Sequence, residues 1–447
     1  MSIIKELRKN IIEAPRKGFR NHKYLLLILL VSFLAKLIYI FHYSDYKNYL
    51  FSDMGGYWGR AQERYEGGVF NLGQWTSWAT FFHFYLTEIF KILNHFHLFK
   101  YRLEIVIILN IIYSTLSVYY LYFIALQIIK NTKYSLLTTF FYAFSYPIFY
   151  YNAFVLSENL SIPIVIISTY LVFTYHESGF KMFLTGLLFA IATAARPILG
   201  LLALPFFLYI VFAKKFSSHS FKKAVIFALG FFLIIYIVVQ ENIRISNGEL
   251  KNLSGNGGVN FFIQQCKVQW VQSTYHGHVV VIGPGTYLGY PELARMKFAT
   301  DHPFHDQKYF YALGLQCIRN NPRIWLDNIL PLKALLLGPL FPGVLSAKGF
   351  EYFYKLSNKL IMLMISTFWF LYFLIRDKKI EIKKLLLLLS ILFCIIVTNY
   401  FFATEQRYCF PAYFVIYLLF FTILKNYFKE AKIYLITSVL LYLLFFN

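Results

Sequence analysis

Apolar runs long enough to cross a bilayer recur along nearly the whole chain, and that recurrence constrains the fold more than any other feature. A spanning helix needs about 20 predominantly apolar residues. In lipid every backbone polar group must find a partner within the chain, so spanning structure is either helical or a closed barrel. The stretch Ile361–Ile375 shows no strict alternation of apolar and polar residues, which argues for helices. Apolar segments are read at 24–43, 103–128, 135–150, 158–176, 182–195, 198–213, 224–240, 355–375, 385–402, 409–425 and 433–446. The two flanking Arg196-Pro197 are short, which implies tilting or a break there. Residues 79–97 and 328–346 are apolar enough for further spans or interfacial helices. The expected fold is an all-α polytopic membrane protein of about 11–13 transmembrane helices, forming one domain over residues 1–447.

Charge then supplies the orientation. Only 14% of the residues are charged, against about 25% for a soluble domain, yet the formal net charge is +22. In a soluble chain that excess would point to nucleic acid. Here the basic residues sit mainly in short loops between apolar runs, where anionic lipid accounts for them. One group is Lys5, Arg8, Lys9, Arg16, Lys17, Arg20 and Lys23; others are Lys214, Lys215, Lys222 and Lys223, then Arg376, Lys378, Lys379, Lys383 and Lys384, then Lys425, Lys429 and Lys432. With the spans above, all four groups fall on one side, which the positive-inside rule makes cytoplasmic. The first apolar run has no small-residue cleavage site and reads as an anchor, with the N-terminus cytoplasmic. Two long loops, 44–102 and 241–354, are left on the external side, the usual place for a site on such a platform. Abundant Ile, Lys, Phe, Tyr and Asn imply an AT-rich genome and a bacterial plasma (inner) membrane.

Polar residues in these loops are the candidates for chemistry. Asp53 lies in the loop sequence Ser52–Ala61, ahead of the stretch Tyr57–Glu66, which reads as a short interfacial helix. A carboxylate there can act as a general base, or it can cap the helix. Glu158 begins an apolar run beside Ser157, a costly depth for a carboxylate unless it has a role. Arg196 before Pro197 must reach water or pair with an anion. In Gly255–Phe262, Asn260 suits a sugar hydroxyl, although a plain glycine turn is the simpler account. Arg407 and Tyr408 in the late loop, and Lys333 in an apolar stretch, are read either as phosphate ligands or as interfacial anchors. His276, His278, His302 and His305 have spacings of low specificity for a metal. No residue is assigned to a metal and no cofactor is required, though a divalent cation stays open. Cys266 and Cys317 share one loop, and their pairing is left undecided.

Taken in order, these pieces are an Asp after the first span, Ser157-Glu158, Arg196-Pro197, Gly257-Gly258-x-Asn260-Phe261 and Gln406-Arg407-Tyr408-x-x-Pro411. Together they resemble polyprenyl-phosphate-dependent glycosyltransferases of the GT-C fold, in particular the group of protein mannosyltransferases and lipid A aminoarabinose transferases. The resemblance implies an inverting transfer from a polyprenyl-phosphate-linked sugar to a lipid, glycan or protein acceptor at the external face. It implies Asp53 as base and Glu158 as the second acidic site, with Arg60, His83, Arg196, Asn260, Lys333, Arg407 and Tyr408 around substrate and phosphate. The chain departs from the pattern at Met54, where relatives often carry Glu. It departs again at Trp78–His83, where a Lys-Pro-Pro or His-x-Pro is common; His83 is the substitute candidate. A lipid-linked polysaccharide ligase or polymerase, or a lipid flippase or transporter, is the alternative reading. No repeat or paired broken helix favours the transporter.

Overall fold

A computed structural model describes residues 23–67, 79–213, 216–246, 248, 250–267, 270–274, 277–281, 297–298, 307–323, 351–376, 378–402, 409–433 and 436. In chain order the helices are α1 (Lys23–Ile38, continued by a π-turn Tyr39–Tyr43), α2 (Ser52–Tyr65), α3 (Thr80–His95), α4 (Arg102–Ile129), α5 (Thr132–Ala143), α6 (Tyr146–Tyr151), α7 (Glu158–Tyr175) and α8 (Gly179–Ala195). They continue as α9 (Ala203–Phe212), α10 (Ser218–Ile245), α11 (Gly257–Cys266), α12 (Gln307–Asn320), α13 (Glu351–Ser366), α14 (Leu371–Arg376), α15 (Ile382–Phe402) and α16 (Phe410–Asn426). A small antiparallel sheet, β1 (Trp270–Thr274), β2 (Gly277–Val281) and β3 (Lys297–Phe298), interrupts the second loop in the order β1-β2-β3. The hydropathy pattern gave no sign of this sheet. Among the described residues everything else of regular structure is helical, and the protein is an all-α polytopic membrane protein.

Six helical segments among the described residues are long and apolar enough to cross a membrane: Lys23–Tyr43, Phe99–Ile129, Glu158–Tyr175, Ser218–Ile245, Leu356–Arg376 and Ile382–Phe402. Gly179–Ala195, Pro197–Phe212 and Phe410–Asn426 are shorter apolar helices. The expected span 135–150 is in fact two helices, parted at Phe144-Ser145, where Ser145 is extended (ψ 118°) as the N-cap of α6. The run 355–375 likewise passes through a 3-10 turn, Phe368–Phe370. Most of the segment 433–446, and all of 328–346, lie outside the described residues.

Helices α4, α5, α7, α13, α14 and α15 pack around α16, which is buried continuously from Phe410 to Ile423. The closest crossing is between α8 and α10. A Cβ on Gly186 would collide with the backbone oxygen of Phe227, and one on Gly230 with that of Phe183. Small residues at a crossing let two membrane helices approach to backbone contact, which maximises dispersion where no hydrophobic drive separates protein from lipid.

One end of the bundle gathers the basic loops. Lys223 Nζ lies 3.2 Å from Glu177 Oε2, Lys383 Nζ donates to Ala213 O (3.1 Å) and Lys384 stands over the Phe173 ring. Polar caps begin the helices there: Asn131, Ser178 and Ser217 accept from the backbone N–H groups of Tyr134, Lys181 and Ser220. Helix α7 runs from this end to the other, roughly 27 Å away at 1.5 Å per residue over its 18 residues. The N-terminal basic group up to Arg20, together with Lys214 and Lys215, lies outside the described residues.

The α8–α10 crossing is testable. Gly186→Ala is expected to destabilise the detergent-solubilised protein by about 1–3 kcal/mol, through overpacking against backbone. Gly59→Ala, where a Cβ meets nothing within 4 Å, serves as the control and is expected to be neutral or stabilising by up to ~1 kcal/mol. Thermal unfolding midpoints compare the two; equal midpoints would contradict so close a crossing.

Candidate functional site

The site begins with a loop pinned by asparagines. Asn110, on α4, donates to the carbonyls of Asn152 (3.3 Å) and Phe154 (3.0 Å). Asn159 donates to Tyr151 O and Phe154 O, both at 2.8 Å. These bonds satisfy the carbonyls of a buried, irregular segment, which lipid would otherwise forbid. They also set Glu158 at the first position of α7, where the helix dipole favours a carboxylate. Ser157 makes no cap bond to the helix; its hydroxyl donates to Glu158 Oε2 at 3.2 Å.

Arg196 arrives from the antiparallel neighbour. Pro197 disfavours helix at the residue before it, so α8 ends and Arg196 becomes extended (φ −146°, ψ 90°). Its Nη1 stands 2.7 Å from Glu158 Oε1. The side chains of the pair are 9% and 2% exposed, so the charges are largely removed from water and depend on each other.

Asp53 lies in the first turn of α2, after an N-cap provided by Phe51. Tyr57 follows one turn later on the same face. Its hydroxyl hydrogen-bonds with Ser157. Burial first, then the carboxylates of Asp53 and Glu158, push the Tyr57 phenol up to about 12. Tyr57 therefore keeps its proton at neutral pH and can act as a hydrogen-bond donor in the site. Burial lowers the Arg60 guanidinium to about 10, against the pull of Tyr57, Glu63 and Asp53, and it stays cationic at neutral pH.

A wall is contributed by α11 and α12. The disulfide Cys266–Cys317 ties them with Cα atoms 5.4 Å apart, in a small apolar cluster with Phe262 and Phe310. The helices are in backbone contact at one point: a Cβ on Gly258 would lie 2.7 Å from Gln307 O. Packing thus explains Gly258. Gln307 Nε2 donates to Ser254 O (3.1 Å), and Gln265 Nε2 donates to Phe401 O (3.0 Å), which fastens the wall to α15. Asn242, at the end of α10, donates to Asn252 O (2.7 Å).

These elements enclose an open cavity of about 750 Å³ at the end of the bundle opposite the basic loops. Asp53, Tyr57, Glu158, Arg196, Asn260 and Gln307 are among its polar lining residues; Pro197, Ile198, Leu201, Val397 and Phe402 are among its apolar ones. The volume suits a small ligand, and the lining suits one with a polar and an apolar end. A half-buried carboxylate, Asp53, faces this space, with a fixed cation at the adjacent wall.

The cavity unites four of the expected residues, Asp53, Glu158, Arg196 and Asn260. Arg60 lies within electrostatic range of Asp53 but does not line the cavity. His83 is fully buried on α3 and does not line it either; its place as substitute phosphate ligand has no support in this geometry. Lys333, Arg407 and Tyr408 lie outside the described residues, as do His276, His302 and His305. Tyr57, Gln307 and Thr398 line the cavity and were not singled out from the sequence. For Tyr57 the signal was its spacing, four residues after Asp53 on a helix. Gln307 and Thr398 carry no local signal.

Comparison with known proteins bears on the same region. The family model for dolichyl-phosphate-mannose-protein mannosyltransferase matches residues 80–240. That range runs from α3 to α10 and includes Glu158 and Arg196, while Asp53 precedes it. The match supports a membrane glycosyltransferase of the GT-C type. No curated protein matches the chain.

Removal of one ion-pair partner leaves a buried charge. Glu158→Gln and Arg196→Gln are each expected to cost about 3–5 kcal/mol of stability, with the double variant costing clearly less than the sum. Unfolding of the three variants in detergent measures the coupling, and strictly additive losses would show that the two charges do not depend on each other.

Proposed function

We propose that this protein moves a glycosyl group from a polyprenyl-phosphate donor to an acceptor hydroxyl or amine at the external face of the membrane, with inversion. The observation that carries this reading is the convergence of Asp53 and the buried Glu158–Arg196 pair on one amphiphilic cavity. The family match to residues 80–240 supports it.

Orientation is inferred from two independent features. The basic loops gather at the far end, which the positive-inside rule assigns to the cytoplasm. The Cys266–Cys317 disulfide belongs to the cavity end, and disulfides persist in oxidising, non-cytosolic compartments. The cavity then opens externally, on the periplasmic side of a bacterial inner membrane.

The chemistry follows from the lining. The donor's sugar and phosphate meet the polar lining residues, and its lipid passes along Ile198, Leu201, Val397 and Phe402. Asp53 accepts the proton of the acceptor as the acceptor atom attacks the anomeric carbon. The bond from that carbon to the phosphate oxygen breaks on the opposite face, and polyprenyl phosphate leaves with the bonding electron pair. Arg196 offsets the charge that develops on the leaving phosphate, held in place by Glu158. Arg60, Arg407 and Lys333 are further cationic candidates for the same phosphate, and Asn260 and Tyr408 for polar contacts to the substrate.

Purified protein in lipid nanodiscs, supplied with a lipid-linked sugar extract, is expected to give a glycosylated product by mass spectrometry. Asp53→Asn should reduce turnover by about 10²–10⁴-fold, the usual contribution of a general base, with the unfolding temperature unchanged. Full turnover in that variant would reject Asp53 as the base.

A further inference from the structure

Lys36 lies inside α1, in the middle of an apolar segment, and its side chain is completely buried. An ionisable group at such a depth is costly and calls for a partner. Its Nζ donates to Ser114 Oγ on α4 at 2.7 Å. A serine hydroxyl that accepts one hydrogen bond still has its own hydrogen to give.

Ser114 also forms part of the lining of a second, small internal chamber. Its other polar walls are Ser117, Tyr142, Tyr151, Asn152, Asn159 and Glu158. Glu158 therefore stands on the partition between the open cavity and this chamber. The chamber leaves about 20 Å³ in which the centre of a water molecule fits. Roughly 10–15 Å³ of such space is enough for one water. Asn152 is 1% exposed, and its Oδ1 has no hydrogen-bond partner among the described residues.

We propose that this chamber is a built site for one ordered water, which links the Lys36 amino group, through Ser114, to the Glu158 carboxylate. The donors all point one way. Lys36 donates to Ser114, Ser114 donates to the water, and the water gives one hydrogen to Glu158 and the other to Asn152 Oδ1. Three hydrogen bonds are the usual complement of a buried water. An organic ligand does not fit the volume.

Lys36 is thus a positioning residue. It acts on the carboxylate from the membrane interior, while Arg196 and Ser157 hold it from the cavity side. Tyr57 and Asp53 on α2, Tyr142 on α5, Tyr151 on α6 and Tyr311 on α12 are the other titratable groups around the two spaces. In the glycosyl-transfer reading, on which only the turnover measurement below depends, this second support keeps Glu158 oriented toward Arg196 while the donor phosphate comes and goes.

The test is infrared spectroscopy of the whole protein in nanodiscs, with the Glu158 band assigned as the carboxylate band that disappears in Glu158→Gln. A hydrogen-bonded water band that shifts in H₂¹⁸O is expected in the parent protein and in Ser114→Thr, and is expected to be lost in Ser114→Ala. The Glu158 band is expected to move in Lys36→Met and in Ser114→Ala, and to return to its parent position in Ser114→Thr. A water band that persists in Ser114→Ala, or a Glu158 band that stays in place in both Lys36→Met and Ser114→Ala, would overturn the proposal. These readings need no substrate, so they stand or fall apart from the transferase assignment. Where turnover is measurable, Ser114→Ala should lower kcat about tenfold with donor KM unchanged; a change in KM alone would overturn the positioning role.

Discussion

A carboxylate and a guanidinium held 2.7 Å apart with almost no access to water form a contact that tolerates little rearrangement. Taking each charge out of water is expensive, and the pair offsets that cost only while its geometry is kept. Much of the surrounding structure serves this requirement. Asn110 and Asn159 fix the loop before Glu158, and Pro197 ends α8 at the residue where Arg196 can turn toward it. The close packing of α8 on α10 through Gly186 and Gly230 anchors the helix that delivers Arg196.

The loop helices are held by a different kind of force. They lack the long apolar faces of the spans, so α11 and α12 are stapled to each other by a disulfide and to α15 by Gln265. The result is a firm wall of polar loop structure over an apolar platform. One cavity is thereby lined by hydrogen-bonding groups and apolar side chains together.

Much of the fold was legible in the chain because lipid imposes a local rule. Wherever enough apolar residues follow one another, the backbone must be helical, and the runs at 24–43, 103–128, 158–176 and 385–402 obey it closely. The rule failed where local chemistry competed, as at Ser145–Pro147, and where strands formed within a polar loop. Part of the site was legible for a similar reason: Asp53, Glu158 and Arg196 are charges beside apolar runs, and such charges need a purpose. Lys36 met the same criterion and was overlooked, because one lysine in a long apolar run reads as a tolerated interruption. His83, offered as a substitute where the chain departs from the motif, is buried on α3 and is not among the residues that line the cavity.

Hydropathy and loop charge by themselves determined that this chain is a helical membrane protein with its basic loops gathered at one end, since run length and charge placement are properties of neighbours in sequence. They also marked most of the charged residues that line the cavity. Only the tertiary structure decided that Glu158 pairs with Arg196, that Cys266 pairs with Cys317, and that Lys36 and Ser114 lie behind the wall that Glu158 shares with the cavity. Those partnerships depend on which helices cross, at what rotation and at what distance, and these follow from contacts between residues remote in sequence that no local pattern encodes.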